Sequence, residues 1–279
     1  MPRVVVMVVI AMVLLVSGDA AAKVLGGHGF DLVFTAWFRF VLAAVIIAPF
    51  AGLQRSDLAQ AKDWRLVFRS LLIVGGIVCL MTALRTEDMA TAFGGFFVGP
   101  IVAYALSAIL LGERVTLART VLLGLSFVGV LIVVRPGFGM TAGMGFAILA
   151  GCFNGSYLVA TRWLAGEFRP RFLLLSQLVI GAIVLAPFAV GPLPAITVNA
   201  AVLIGVSTMG SALGNLLLVV VSQTTPANVI APLIYSQLVV ATVLGVIIMG
   251  DWPDAATLIG LAVITIAGAS SVWFVGSGR

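Results

Sequence analysis

The chain has 279 residues, of which 62% are hydrophobic and 9% charged, with a mean hydropathy of +1.25. That leaves too little polar surface for a soluble domain and places the chain among integral membrane proteins. The formal net charge of +5 gathers in alternate linkers between apolar runs, so it reads as a topology signal and excludes a nucleic-acid partner.

The apolar runs are near 20 residues long without strict alternation, which selects transmembrane helices over barrel strands. The first, 4–24, carries Asp19 and Lys23 four residues apart on one helical face. Arg3 and the Ala20-Ala21-Ala22 stretch imitate a cleavable signal peptide, but an internal repeat pairs this run with a later one, so the helix is expected to be retained. The second run, 32–51, carries Arg39 at a depth similar to that of Asp19 across the hairpin at His28. Charges inside a bilayer face the bundle interior. They form either a structural Asp19–Arg39 ion pair with Lys23 snorkelling outward, or a charged cavity wall of Asp19 and Lys23.

After a polar linker from Gly52 to Arg65, the run 66–85 presents Gly75, Cys79, Thr82 and Thr86. The run 90–111 follows Glu87 and Asp88, read as solvated capping residues, and holds Phe97 and Pro100. The run 115–134 ends at Arg135-Pro136-Gly137, where proline and glycine stop the helix. The run 143–162 brings Asn154, Tyr157 and Thr161, and 171–190 ends before Gly191, Pro192 and Pro194. The run 199–222 aligns Thr208, Ser211, Asn215 and Ser222 on one face. The run 227–249 holds Pro232 and Tyr235, with Asn228 and Gln237, and 255–274 closes the chain. Pro100 and Pro232 are expected to interrupt their helices and free carbonyls for a ligand or a hinge. Glu113 and Asp251 are expected at the starts of helices 5 and 10. Glycine pairs such as Gly95/Gly99, Gly151/Gly155 and Gly210/Gly214 are spaced for close helix contact.

The second half repeats the first at an offset of 138: Ala48-Pro49-Phe50-Ala51 recurs as Ala186-Pro187-Phe188-Ala189, Phe30 as Phe168, and Gly112-Glu113 as Gly250-Asp251. Five spans per repeat invert the second copy, giving an all-α protein of ten transmembrane helices with repeat units at 1–138 and 139–279. Inverted repeats around a midplane site are the build of many secondary transporters. The same offset carries Asp19 and Lys23 onto Tyr157 and Thr161, and Phe97 onto Tyr235. Two symmetry-related helices therefore present polar faces to one axis, which marks a central cavity.

With the N-terminus inside, the inner linkers collect Arg3, Arg55, Lys62, Arg65, Arg69, Arg114, Arg119, Arg162, Arg169, Arg171 and Arg279, against Arg85 and Arg135 outside. Both termini are then cytoplasmic, in a multi-pass protein of the inner (plasma) membrane. No phosphate-binding loop, nucleophile–base set or metal-spaced cluster occurs, and Cys79 and Cys152 read as small packing residues. An enzyme, a cofactor and a metal site are not expected.

Pro100, the Leu110-Leu111-Gly112-Glu113-Arg114 ending, the stretch from Ala231-Pro232-Leu233 to Gly250-Asp251 and the ten spans together resemble the EamA-type branch of the drug/metabolite transporter superfamily. The resemblance implies alternating access, with helices 1, 3, 4, 6, 8 and 9 lining the cavity and 5 and 10 peripheral. Asp19-Ala20-Ala21-Ala22-Lys23 with Arg39 further resembles members that move S-adenosylmethionine or riboflavin. The expectation is a secondary-active carrier of a small polar or amphipathic metabolite, binding through Asp19, Lys23, Asn154, Tyr157, Thr161, Ser211, Asn215, Tyr235 and Phe97. Arg39, Pro100 and Pro232 would serve structure or gating. An exporter of amino acids or drugs and a non-transporting structural or regulatory subunit are the alternatives. Expected partners are the metabolite, the lipid bilayer and a proton or counter-substrate, with no nucleic acid, in a monomer or homodimer.

Overall fold

In the computed structural model, residues 2–54, 57, 60–113, 116–134, 141–189 and 196–277 are described. They form helices α1 (Pro2–Gly27), α2 (Leu32–Ile47), α3 (Trp64–Ala83), α4 (Met89–Leu111), α5 (Leu117–Val134), α6 (Ala142–Trp163), α7 (Pro170–Leu185), α8 (Val198–Thr224), α9 (Ala227–Ile234 and Ser236–Leu244) and α10 (Ala255–Ser277). Among the described residues, eight helices are long and apolar enough to cross a membrane, and shorter apolar helices lie within α5 and α10. The side on which α1 begins is here called side A, and the other side B. The expected breaks at Arg135-Pro136-Gly137 and at Gly191 to Pro194 lie outside the described residues, as do the side chains of Asn228 and Pro232.

Helix ends follow from their capping chemistry. Asp31, Asp63 and Asp88 accept backbone N–H bonds at the starts of α2, α3 and α4, and Thr141 and Thr197 do so for α6 and α8. These side chains satisfy donors a helix start leaves orphaned. Asp254, not Asp251, caps α10 through the Thr257 amide at 2.8 Å. Glu113, expected at the start of α5, serves the start of α9, where its carboxylate accepts from the Ala227 amide at 3.1 Å. The repeated Gly112 and Gly250 have φ of +63° and +73°. Each sits in the left-handed conformation that closes a helix and that glycine adopts without steric cost.

Helices α4 and α9 are broken, but not at their prolines. The breaks fall at Phe97 (φ −74°, ψ 4°) and Tyr235, which the 138-residue offset relates. Pro100 explains the first, because its ring crowds the carbonyl four residues back, at Phe96. The residue equivalent to Pro100 is Leu238, and Pro232 precedes its break, so the interruption belongs to the position in the fold. Phe97 and Tyr235 touch, with ring centroids 5.3 Å apart. Symmetry-related residues in mutual contact lie on the axis that relates them.

Packing obeys the same symmetry. α1 lies along α8 as α6 lies along α3, α4 packs on α6 as α9 packs on α1, and α2 meets α7 while α5 meets α10. Small residues allow the closest approaches: a Cβ on Gly99 would stand 2.8 Å from the carbonyl oxygen of Gly151 across the α4–α6 contact. In lipid, such backbone proximity holds helices together where burial of apolar surface cannot.

Candidate functional site

The polar residues converge on a cavity of about 50 Å³ near the middle of the bundle. Asp19 of α1, Arg39 of α2, Asn154 and Tyr157 of α6, Ser211 and Asn215 of α8 and Gln237 of α9 line it, with Phe96 and apolar residues of α3. α2 thus joins the six helices expected, and neither α5 nor α10 contributes a lining residue. A smaller void of about 10 Å³ continues it between Arg39, Gln177, Thr208, Ser211 and Asn215.

Asp19 and Arg39 form a buried ion pair at 3.0 Å. Of the two readings open for Asp19, this is the structural pair, formed on the cavity wall. Tyr157 donates to Gln177 Oε1 at 2.8 Å. The offset carries Asp19 onto Tyr157 and Arg39 onto Gln177, so each half ties its first helix to its second at the same point.

Lys23 is separated from Asp19. Its ammonium donates to the Glu87 carbonyl at 2.6 Å, on a side-B cavity of about 390 Å³ that it shares with Phe30, Asp31 and Arg85. Thr161 is buried and does not line the central cavity; its hydroxyl accepts from Arg69 Nε at 2.8 Å. Phe97 and Tyr235 are consumed by packing against each other on the axis. Pro100 is buried in α4 below the break.

Arg69, counted above among the juxtamembrane charges, is fully buried. Besides Thr161 it reaches the Tyr157 hydroxyl at 2.9 Å and the Leu173 carbonyl at 3.0 Å, with its guanidinium 4.7 Å over the Tyr157 ring. Its place on the cavity face was readable, since Ile73, Gly76, Ile77 and Leu80 follow it at helical spacing. Gln177 was likewise findable as the repeat equivalent of Arg39.

Side A is sealed beyond this network. Leu66, Leu164, Phe168, Phe172, Leu173 and Val219 form a buried cluster. Arg65 bridges Asp63 and Glu167, each at 2.7 Å, Arg162 faces Glu113 at 3.5 Å, and Arg169 binds Asp57. The Arg169 guanidinium holds the Asp57 carboxyl below the usual carboxylate range. Side B has the smaller counterpart: Leu25, Phe30 and Ala200, with Leu203 and Ile204 against them.

The model of the EamA-like transporter family matches residues 2–135 and again 141–273. The S-adenosylmethionine uptake transporter of Rickettsia bellii is 25% identical over 261 residues, covering 89% of this chain and 86% of that protein. Its counterpart in Rickettsia conorii is 24% identical over 261 residues, covering 89% and 85%. A crystal structure superposes with a TM-score of 0.76 at 17% identity, covering 98% of this chain and 97% of that chain, which shows a shared fold.

Proposed function

The chain belongs to the EamA-like transporter family, and from that premise we propose that it carries S-adenosylmethionine, or a close chemical relative, across the inner membrane by alternating access. The observation that carries this reading is the mid-depth cavity lined by Asp19, Arg39 and Tyr157, where the repeat-related pairs Asp19–Arg39 and Tyr157–Gln177 meet. S-adenosylmethionine combines an amino-acid end, a sulfonium and an adenine. The cavity supplies a carboxylate and a guanidinium, amides from Asn154, Asn215 and Gln237, and the Phe96 ring. Relatives aligned over most of both chains bear the name of S-adenosylmethionine uptake transporters.

Side A faces the cytoplasm in this reading, which places its arginine-rich linkers inside and both termini with them. The cavity of about 50 Å³ is far below the roughly 300–1,000 Å³ of a small-molecule site. Helices must therefore part to admit the substrate, and the breaks at Phe97 and Tyr235 supply hinges on the axis. With the Asp19 carboxylate bonded to Arg39, exchange or the substrate's own gradient drives the cycle.

The test is uptake of radiolabelled S-adenosylmethionine into proteoliposomes preloaded with the unlabelled compound. Saturable uptake, stimulated by preloading, is expected. Uptake no faster than in protein-free liposomes would end the reading.

A further inference from the structure

Arg69 and Arg39 are buried arginines with unlike surroundings. Arg39 has Asp19, whereas Arg69 has no carboxylate within ion-pair distance among the described residues. All three of its acceptors are neutral: the Thr161 and Tyr157 hydroxyls and the Leu173 carbonyl. A guanidinium carries five N–H donors in a fork shaped for a carboxylate, so two stay available. A buried charge without a counter-charge is costly and calls for a compensating partner.

Repeat symmetry sharpens the contrast. The position that holds the carboxylate of Asp19 in the first half holds Tyr157 in the second. At the first position Asp19 supplies Arg39 with an anion, whereas its equivalent, Tyr157, offers Arg69 only a neutral hydroxyl. Among the described residues, Tyr157 is also the only side chain bonded to Arg69 that lines the central cavity. One hydroxyl therefore stands between the cavity and the unbalanced charge.

Arg69 is also a clamp. It ties α3 to α6 through Thr161 and Tyr157, and to α7 through Leu173, directly against the apolar cluster that seals side A. We propose that Arg69 receives the carboxylate of the substrate and that this contact unlatches side A. The inference rests on the central route proposed above. A carboxylate that displaces the Tyr157 hydroxyl offers charge-assisted, bidentate bonds, about twice as strong as those to neutral acceptors. Turning toward it draws Arg69 from Thr161 and the Leu173 carbonyl, and frees α3 from α6 and α7. Recognition of the anionic end and opening toward side A then become one event, so a cargo lacking the carboxylate binds without being released.

Two readouts test this. The first is competition against labelled S-adenosylmethionine in proteoliposomes by unlabelled S-adenosylmethionine and by its decarboxylated form. Wild type should prefer the carboxylate-bearing compound by roughly tenfold or more, Arg69→Gln should lose that preference, and Arg69→Lys should regain part of it. An undiminished preference in Arg69→Gln overturns the proposal. The second is maleimide labelling of Ser70→Cys, beside Arg69 and fully buried, in purified protein with Cys79 and Cys152 replaced by alanine. Labelling should be slow in wild type, accelerate with S-adenosylmethionine but not with the decarboxylated compound, and be fast in Arg69→Gln without either. Equal rates in wild type and Arg69→Gln overturn the latch.

If Arg69→Gln does not fold, Thr161→Val removes one acceptor and keeps the cation. It should label faster while retaining carboxylate preference, and unchanged labelling would count against the latch. If wild type transports no S-adenosylmethionine, the substrate reading fails. The labelling arm, with acetate as the anion probe, then decides: acceleration in wild type and none in Arg69→Gln supports the anion receptor, and no acceleration sinks it.

Discussion

Asp19 and Arg39 sit 3.0 Å apart with side chains almost removed from solvent. Removing one partner of such a pair leaves an uncompensated charge in a medium that cannot solvate it, at a cost of about 3–5 kcal/mol. Arg39→Ala is therefore expected to lower the yield of monodisperse protein, and Asp19→Asn added to it should restore part of that yield, as read by fluorescence size-exclusion. A double variant no better than Arg39→Ala would show that Arg39 acts through something other than this pair. Lys23 is half-buried and bonded to a carbonyl, so Lys23→Ala should fold normally. Sequence alone placed Asp19 and Arg39 at one depth, but it could not separate Lys23 from Asp19. A spacing of four residues puts two side chains on one helical face, while the length of the lysine stem and the nearby α3–α4 turn decide where the ammonium goes.

At the scale of elements, the spans were legible because lipid demands unbroken runs of apolar residues with every backbone group bonded internally. The breaks were legible only as a tendency. Proline marks disturbance nearby, whereas the symmetry-matched positions Phe97 and Tyr235 emerge from how the two halves meet. Arg69 escaped notice because it lies five residues into α3, where a charge ordinarily snorkels; its three acceptors come from α6 and α7, distant in sequence. Contacts between elements yield two predictions. Gly99→Ala places a methyl 2.8 Å from the Gly151 carbonyl oxygen, and backbone cannot step aside cheaply. Overpacking of this kind costs about 1–3 kcal/mol, so the melting temperature of the purified protein should fall, and an unchanged value would mean that α4 and α6 can separate freely. Arg169 fastens the linker between α2 and α3 to the start of α7 through Asp57. The Asp57 carboxyl is held below its ordinary range by that guanidinium, so the stabilisation is present above the unfolded-state value of about 4 and is lost as pH falls through the depressed folded value. The difference in melting temperature between wild type and Asp57→Asn should be constant from about pH 6 to 8 and shrink below about pH 4. A difference that grew on acidification would have the wrong sign.

For the whole molecule, repeat symmetry supplies an internal control. Phe30 and Phe168 are equivalent under the offset, each is 5% exposed, and each belongs to the apolar cluster sealing its own side. In the static structure they are equally exposed, so a difference in reactivity between them reports how readily each side opens. The surroundings differ sharply. Around Phe168 stand five further buried apolar residues, the bridges of Arg65, Arg162 and Arg169, and the Arg69 clamp. Around Phe30 the buried cluster holds, among the described residues, only Leu25 and Ala200, and the ion pair beside it, Arg85 with Asp31, is half exposed. Exposed pairs contribute about 0–1 kcal/mol, so side B has less to break. In detergent-purified protein with Cys79 and Cys152 replaced by alanine, Phe30→Cys should react with a water-soluble maleimide several-fold faster than Phe168→Cys. Added S-adenosylmethionine should narrow the gap by raising the Phe168→Cys rate. Two inverted halves of nearly equal fold would then differ in the stability of their closures, and that difference would set which side the empty carrier presents. Faster reaction at Phe168→Cys would place the weaker closure at side A and reverse the resting orientation argued from these contacts.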